Sequence, residues 1–178
     1  MDFYIMDDRE KSTREQELFS MLRDSDGEFV PPLSARSSTT QKTLSGRESS
    51  EEGLRSYFRE MCQQQILGAY EGDVLLGFVS FRENYTSDLI GEEHLPNIYL
   101  STLISKRAFR GRGMTVQMYD HLFNCLYAGR NILTRTWSAN YAHTHILERF
   151  GFCELHRIPN DRGAGVDTVY YKRLSQLF

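Results

Sequence analysis

The stretch ISKRAFRGRGMTVQMYDHLF, from Ile104 to Phe123, joins an apolar segment to a segment with helical spacing through a turn rich in glycine and arginine. Glycine lets a backbone turn sharply and come close to a ligand. The first N–H groups of a helix lack intrahelical partners and carry partial positive charge. The turn from Arg110 to Gly113 therefore predicts an anion site, and a phosphorylated ligand is the first hypothesis.

This turn does not fit two well-known phosphate-binding motifs. It does not match the pattern GxxxxGK[ST], and GxGxxG would need a glycine where Val116 stands. The turn also comes late in the chain, after a predicted hairpin, which is not the position of a dinucleotide-binding turn. The local motif leaves open a plain strand–helix connection with solvated arginines.

The composition indicates one packed domain, residues 1–178, with a hydrophobic fraction of 40%. The formal net charge of -3 argues against general nucleic-acid binding. No apolar run approaches the roughly 20 residues that span a bilayer, and the acidic start does not resemble a signal peptide, so we expect a cytoplasmic protein. No CxxC pair is formed by the three cysteines, Cys62, Cys125 and Cys153, which are predicted to be buried, reduced thiols. No metal site is predicted.

Apolar periodicity predicts strands and helices in alternation, hence a mixed α/β or α+β sheet with flanking helices. The predicted strands are Phe3–Met6, Gln65–Tyr70, Val74–Phe81, Ile98–Ser105, Ile132–Trp137, Phe152–Ile158 and Val166–Lys172. The predicted helices are Ser12–Leu22, a segment that Ser50 caps, Met114–Tyr127 and Tyr141–Phe150. The Ser/Thr-rich segment at about 25–50 is predicted to be a loop, either a lid that orders on substrate binding or a disordered insertion.

Two segments carry a resemblance to a known family. The first, Leu103 to Asp120, resembles motif A of the GNAT (Gcn5-related N-acetyltransferase) family, a strand followed by Q/R-x-x-G-x-G/A and a helix. Arg110 and Gly113 match this motif, and Thr115 departs from it. The resemblance extends over about residues 67–174.

The second segment, NYAHTHILERFGF from Asn140 to Phe152, is similar to motif B, N-x-x-A-x-x-x-Y-x-x-x-G-F. Asn140, Gly151 and Phe152 match, whereas His143 stands for the small residue and Leu147 for the tyrosine. The two motifs in this order, with a strand between them, are more specific than either alone.

The resemblance implies a mostly antiparallel sheet whose two central parallel strands, 98–105 and 132–137, splay apart to hold acetyl-CoA as co-substrate. The pantetheine arm would pair with the strand edge, and the pyrophosphate would rest on the turn. The implied cofactor-binding residues are Leu103, Ile104, Ser105, Arg110, Gly111, Arg112, Gly113, Met114, Thr115, Asn140 and His143. His143 is also open to a reading as a helix-surface residue without a role.

The resemblance implies direct attack of a primary amine, from a small molecule or a protein, on the acetyl thioester. Strand alternation would place Tyr99 on the same face as Leu103, which makes it a candidate acid or relay, and Glu83 is a candidate base. A core aromatic and a solvated charge are the alternatives for these two. Carboxylates in segments that could line the acceptor side hint at a cationic acceptor: Glu83, Asp88, Glu92, Glu93, Asp161 and Asp167.

Two other functions stay open at this level. A domain of the same fold could bind acetyl-CoA without turnover, as a sensor or scaffold, because the motif B tyrosine and a strand carboxylate are both missing. A nucleic-acid module using Lys106, Arg107, Arg110 and Arg112 is disfavoured by the net charge of -3. We expect partners limited to acetyl-CoA and an amine, without nucleic acid or membrane, and a homodimer is left open.

Overall fold

A computed structural model describes residues 1–175, and its centre is a seven-stranded sheet with the order β1-β2-β3-β4-β5-β7-β6. The strands are β1 Asp2–Ile5, β2 Gln65–Glu71, β3 Val74–Glu83, β4 Asn97–Ser105, β5 Asn131–Trp137, β6 Cys153–Ile158 and β7 Thr168–Arg173. Neighbouring strands are antiparallel except β4 and β5, which run parallel. The predicted fold class is confirmed.

Five helices flank the sheet within residues 1–175. They are α1 Asp8–Thr13, α2 Glu15–Ser25, α3 Glu51–Cys62, α4 Met114–Asp120 and α5 Tyr141–Arg149. Helices α2 and α3 bury Leu22 and Tyr57 against Phe78 on one face of the sheet. Helices α4 and α5 bury Met118 and Leu147 on the other face, so each face is covered by its own apolar cluster.

The helices differ in detail from the predicted ones. Helix Ser12–Leu22 is two helices, because α1 starts earlier, at the cap Asp7, and ends before Arg14. Helix α4 continues as a π-helical turn, His121–Leu126, which leaves Cys125 exposed. Cys153 is also exposed, so the prediction of three buried thiols was wrong.

The segment 25–50 is neither a bare loop nor a regular element. It contains two 3₁₀ turns, Asp26–Glu28 and Leu33–Ala35, and it buries Leu33 and Leu44 completely. At its end Ser50 caps α3 as predicted, since its side chain accepts a hydrogen bond of 2.9 Å from the N–H of Gly53. The segment therefore packs against the sheet and contributes side chains to the site described below.

Strand β4 carries a bulge at Ser101. Against β3, Thr102 pairs with Ser80 and Leu100 pairs with Phe81, so Ser101 between them has no partner residue in β3. The bulge reverses the alternation of side chains on either side of it. Parallel pairing with β5 ends one residue before the bulge, at Leu100 and Thr134. Beyond that pair the two strands separate, and the sheet opens.

Candidate active site

A cavity of about 520 Å³ lies where β4 and β5 separate. Its walls include the backbone and side chains of 100–105 from β4 and 134–137 from β5. It is also lined by the turn from Arg110 to Gly113, called the glycine turn, by α4 and α5, by the 25–50 segment and by Arg162 from the loop between β6 and β7. This is the size of a cleft that holds a small ligand.

The glycine turn presents free donors to the cavity. Gly111 and Gly113 have φ angles of +77° and +71°, which favour glycine over any residue with a side chain. The backbone N–H groups from Gly111 to Val116 donate no hydrogen bond to another group of residues 1–175. Consecutive unpaired N–H groups are suited to phosphate oxygens.

The charges beside the turn are partly compensated by the N-terminal segment. Arg110 donates to Glu28 with distances of 3.1 and 2.7 Å, and Arg107 also pairs with Glu28. The hydrogen bond from Arg110 is the main cause that holds the pKa of Glu28 below its usual value. Lys106 makes a similar pair with Glu17 at 2.6 Å.

Most of the predicted cofactor-binding residues come together at this cavity. It is lined by Leu103, Ile104, Ser105, Arg110, Gly111, Gly113, Met114, Thr115, Asn140 and His143. Arg112 is the exception, since its guanidinium lies over the ring of Phe109 at 5.4 Å, outside the lining. Asn140 caps α5, and its amide donates to the hydroxyl of Thr136 at 2.9 Å.

A tyrosine–histidine pair lines the cavity on the α4 and α5 side. The hydroxyl of Tyr119 lies 2.8 Å from Nε2 of His143. Burial raises the pKa of Tyr119 and lowers the pKa of His143 to about 4, so both groups are neutral near pH 7. Sequence reasoning missed Tyr119, although it lies one helical turn after Thr115 and so shares its helix face.

The structure does not bring Tyr99 and Glu83 to the cavity. Tyr99 is 1% exposed and packs against Tyr85, with ring centroids 4.6 Å apart. The alternation argument was wrong because the bulge at Ser101 lies between Tyr99 and Leu103 and puts them on opposite faces. Glu83 is exposed and accepts a hydrogen bond of 2.8 Å from the hydroxyl of Tyr127.

The acidic residues that hinted at a cationic acceptor do not line the cavity either. Asp88 pairs with Lys42, and Asp167 pairs with Arg157 at 3.0 Å. The cavity is instead lined by three arginines besides Arg110, namely Arg36, Arg135 and Arg162. The structure therefore does not bring to this cavity the carboxylates on which the hint of a cationic acceptor rested.

These features define a domain with a cleft between two separating parallel strands and a glycine turn whose N–H groups are suited to an anion. The sequence model of the acetyltransferase (GNAT) family matches residues 35–152. The chain belongs to this family, as the two motifs predicted. A comparison of the sequence with curated proteins gave no significant match. Within residues 1–175, no helix has the length and apolar content to cross a membrane.

Solved structures share the fold at low sequence identity. Aminoglycoside 6'-acetyltransferase type Ii has a TM-score of 0.69 and 15% identity, with 100% of this chain and 99% of that chain covered. Ribosomal-protein-alanine N-acetyltransferase from Brucella melitensis has a TM-score of 0.63 and 14% identity, with 98% of this chain and 99% of that chain covered. The yncA protein of Salmonella typhimurium was solved with its cofactor acetyl-CoA. It has a TM-score of 0.61 and 14% identity, with 100% of this chain and 95% of that chain covered.

Proposed function

We propose that this protein transfers the acetyl group of acetyl-CoA to a primary amine. The observation that carries the proposal is the cavity at the split between β4 and β5, with the unpaired N–H groups of Gly111 to Val116 at one end. Family membership and the acetyl-CoA bound to a structural relative support the choice of ligand. One relative is named for an aminoglycoside and another for ribosomal-protein alanine, so the names of the relatives do not choose between a small-molecule and a protein acceptor.

In this proposal the pyrophosphate of acetyl-CoA rests on the N–H groups of the glycine turn. The hydroxyl of Thr115 lines the same end and can donate to a phosphate oxygen. The pantetheine arm runs along the edge of β4 at Leu103 to Ser105, which lies beyond the last residue paired with β5. A backbone N–H of this edge would polarise the acetyl carbonyl.

The reaction is a direct acyl transfer. The amine nitrogen forms a bond to the carbonyl carbon, the carbon–sulfur bond breaks, and the sulfur leaves as the thiolate of CoA. The amine must lose a proton, and the thiolate must gain one. Holding both reactants in one cavity supplies much of the rate by orientation.

We propose Tyr119 as the group that protonates the thiolate. Leu147, at the position of the motif B tyrosine, is fully buried and has no proton to give. Tyr119 lines the cavity, and neutral His143 can donate Nε2–H to its oxygen, which leaves the phenol proton free for sulfur. Roles for Tyr99 and Glu83 stay predictions, and either would have to act through intervening groups.

Thiol release from acetyl-CoA in the presence of an amine panel tests the function. Amine-dependent release above the rate without amine is expected, with an acetylated amine confirmed by mass. If acetyl-CoA binds but no amine in the panel is acetylated, the sensor or scaffold alternative is favoured, which the loss of the motif B tyrosine also favours.

A further inference from the structure

Three arginines outside the glycine turn form a cluster in the lining of the cavity. Arg36 and Arg162 are each 6% exposed, and Arg135 on β5 is partly buried. All three line the cavity, together with Phe29 and Trp137, whose rings lie 6.0 Å apart. We call Arg36, Arg135 and Arg162 the arginine cluster.

No member of the arginine cluster forms an ion pair with a carboxylate among residues 1–175. Each donates to backbone carbonyls instead: Arg36 to Pro31 at 2.8 Å, Arg162 to Val30 at 2.6 Å and Arg135 to Gln41 at 2.6 Å. Buried charges are normally paired, because an unpaired one is costly to remove from water. The cluster is thus short of negative charge.

Two carboxylates near the cluster, half-buried Asp26 and buried Asp161, have hydrogen bonds to other groups. Asp26 accepts from the N–H and the hydroxyl of Ser34, both at 2.7 Å. Asp161 accepts from the N–H of Leu44 at 3.2 Å and from the hydroxyl of Thr168 at 2.5 Å. The charges of Asp26 and Asp161 favour the charged forms of Arg36 and Arg162, but neither carboxylate forms an ion pair with the cluster, so two negative charges face three guanidinium groups.

Donors of the cluster also remain available. Nη1 of Arg36, Nη2 of Arg162 and Nε of Arg135 donate no hydrogen bond to any described residue, and none of these atoms is sealed from the cavity or solvent. Burial, and then the charges of Arg36 and Arg135, lower the pKa of Arg162 to about 9. The guanidinium therefore still carries its charge near pH 7, and repulsion within the cluster favours a bound anion.

We propose that the acceptor is an amine that also carries a carboxylate or a phosphate, and that the arginine cluster binds this anionic group. The guanidinium fork matches both groups with paired hydrogen bonds. The inference rests on the proposed acetyl transfer, since it names the substrate class of that reaction. The amine forms the amide bond as the carbon–sulfur bond breaks, and the anionic group is unchanged.

Matched amine pairs test this proposal. β-Alanine is compared with β-alaninamide, and phosphoethanolamine with ethanolamine, so each pair differs by one anionic group and the two pairs separate carboxylate from phosphate. For at least one pair we expect the anionic member to have a kcat/KM at least tenfold higher. The ratio of kcat/KM for the anionic member to kcat/KM for the other member of the pair should fall at least fivefold in Arg36→Gln and in Arg162→Gln.

Arg23→Gln is the control variant, because Arg23 is exposed and its nearest carboxylate, Asp24, is 4.0 Å away. Like the two cluster variants, Arg23→Gln removes one positive charge, but it should leave the kcat/KM ratio of each amine pair as in the parent. Acetyl-CoA affinity, measured by calorimetry, should stay within about twofold in Arg36→Gln. A tenfold loss of that affinity in a folded variant would assign the cluster to the cofactor and overturn the proposal.

Binding of the same pairs to the CoA-saturated parent protein separates this inference from the proposed function. Tighter binding of an anionic member without turnover supports the acceptor class while the transfer activity fails. Turnover of neutral or cationic amines at least as fast as of both anionic members supports the transfer and overturns the acceptor class. If the two members of each pair bind with equal affinity, or none binds detectably, the acceptor class is also overturned. This measurement uses the parent protein, so it does not depend on the folding of a variant.

Discussion

At the scale of single residues, Tyr119 is the side chain that matters most to the proposed chemistry. Tyr119→Phe removes the hydroxyl but keeps the ring in its packing, so we expect kcat to fall by roughly 10²-fold, in the range of a positioned acid. Acetyl-CoA affinity should change little. Steady-state kinetics with an accepted amine provide the measurement.

Tyr99→Phe is the natural comparison, since both tyrosines are buried and only Tyr119 lines the cavity. If Tyr99→Phe loses activity and Tyr119→Phe does not, Tyr99 has the acid role and the proton path through Tyr119 is wrong.

His143 gives the stability of the protein a predictable dependence on pH. Its folded pKa of about 4 lies below the ordinary value of 6.5, because burial disfavours the charged ring. The unfolded chain therefore binds the proton more readily, and folded stability is lost as the pH falls from 6.5 toward 4. Between pH 7 and pH 5 this group should cost about 2 kcal/mol of unfolding free energy.

Urea unfolding of His143→Asn and of His145→Asn at pH 7 and pH 5 measures this contribution. His145 lies on the same helix but is exposed, so His145→Asn is the control for the loss of one imidazole from α5. A pH dependence that His143→Asn also retains in full would contradict the assignment.

At the scale of elements, the turn before α4 depends on the conformation of its glycines. Gly113 has a φ of +71°, where a side chain costs roughly 1–2 kcal/mol. Gly113→Ala should therefore lower stability by about that amount, and a Cβ beside the N–H groups should also weaken acetyl-CoA binding by roughly tenfold, about 1.4 kcal/mol.

Gly129 offers a matched control for this substitution. Its φ is +81°, and a methyl group added at either glycine would meet no atom closer than 3.8 Å, but only Gly113 lines the cavity. Gly129→Ala should cost similar stability without loss of affinity in a calorimetric titration. If the folded Gly113→Ala and Gly129→Ala variants bind acetyl-CoA with equal affinity, the turn is not part of the cofactor site.

The elements also show how far sequence reasoning reached. Apolar spacing found the strands, and the two motifs located the turn and α5, because these signals are local. The bulge at Ser101 was missed because the run from Ile98 to Ile104 reads as one regular strand. That single extra residue is why Tyr99 was assigned to the wrong face.

The arginine cluster could not be predicted for a different reason. Arg36, Arg135 and Arg162 lie far apart in the chain, and each reads alone as an ordinary surface charge. Their convergence depends on how the 25–50 segment and the loop between β6 and β7 pack over β5, which no local pattern records.

At the scale of the whole molecule, the sheet consists of two parts, β1 to β4 and β5 to β7, which within residues 1–175 pair only through residues 97–100 and 131–134. A ligand that lies between the two parts should stabilise the folded state by contacting both. At 100 times its Kd, acetyl-CoA should add about 2.7 kcal/mol. For a chain of this size that corresponds to a rise in Tm of roughly 5–10 °C.

A thermal melt with acetyl-CoA, CoA and an oligonucleotide as separate additions checks this expectation. Both CoA species should raise Tm, and the oligonucleotide should not. Stabilisation by the oligonucleotide alone would instead favour the nucleic-acid function that the charge balance disfavours.

The ion pair between Arg110 and Glu28 has a consequence for how ligand and protein meet. In the free protein this arginine already holds an anion from the N-terminal segment, so an incoming pyrophosphate would exchange one anionic partner for another. Such an exchange releases fewer counterions than binding to a bare arginine. It also makes the cofactor a competitor of Glu28, so binding at the turn would free this carboxylate while buried Leu33 and Leu44 hold the rest of the segment in place.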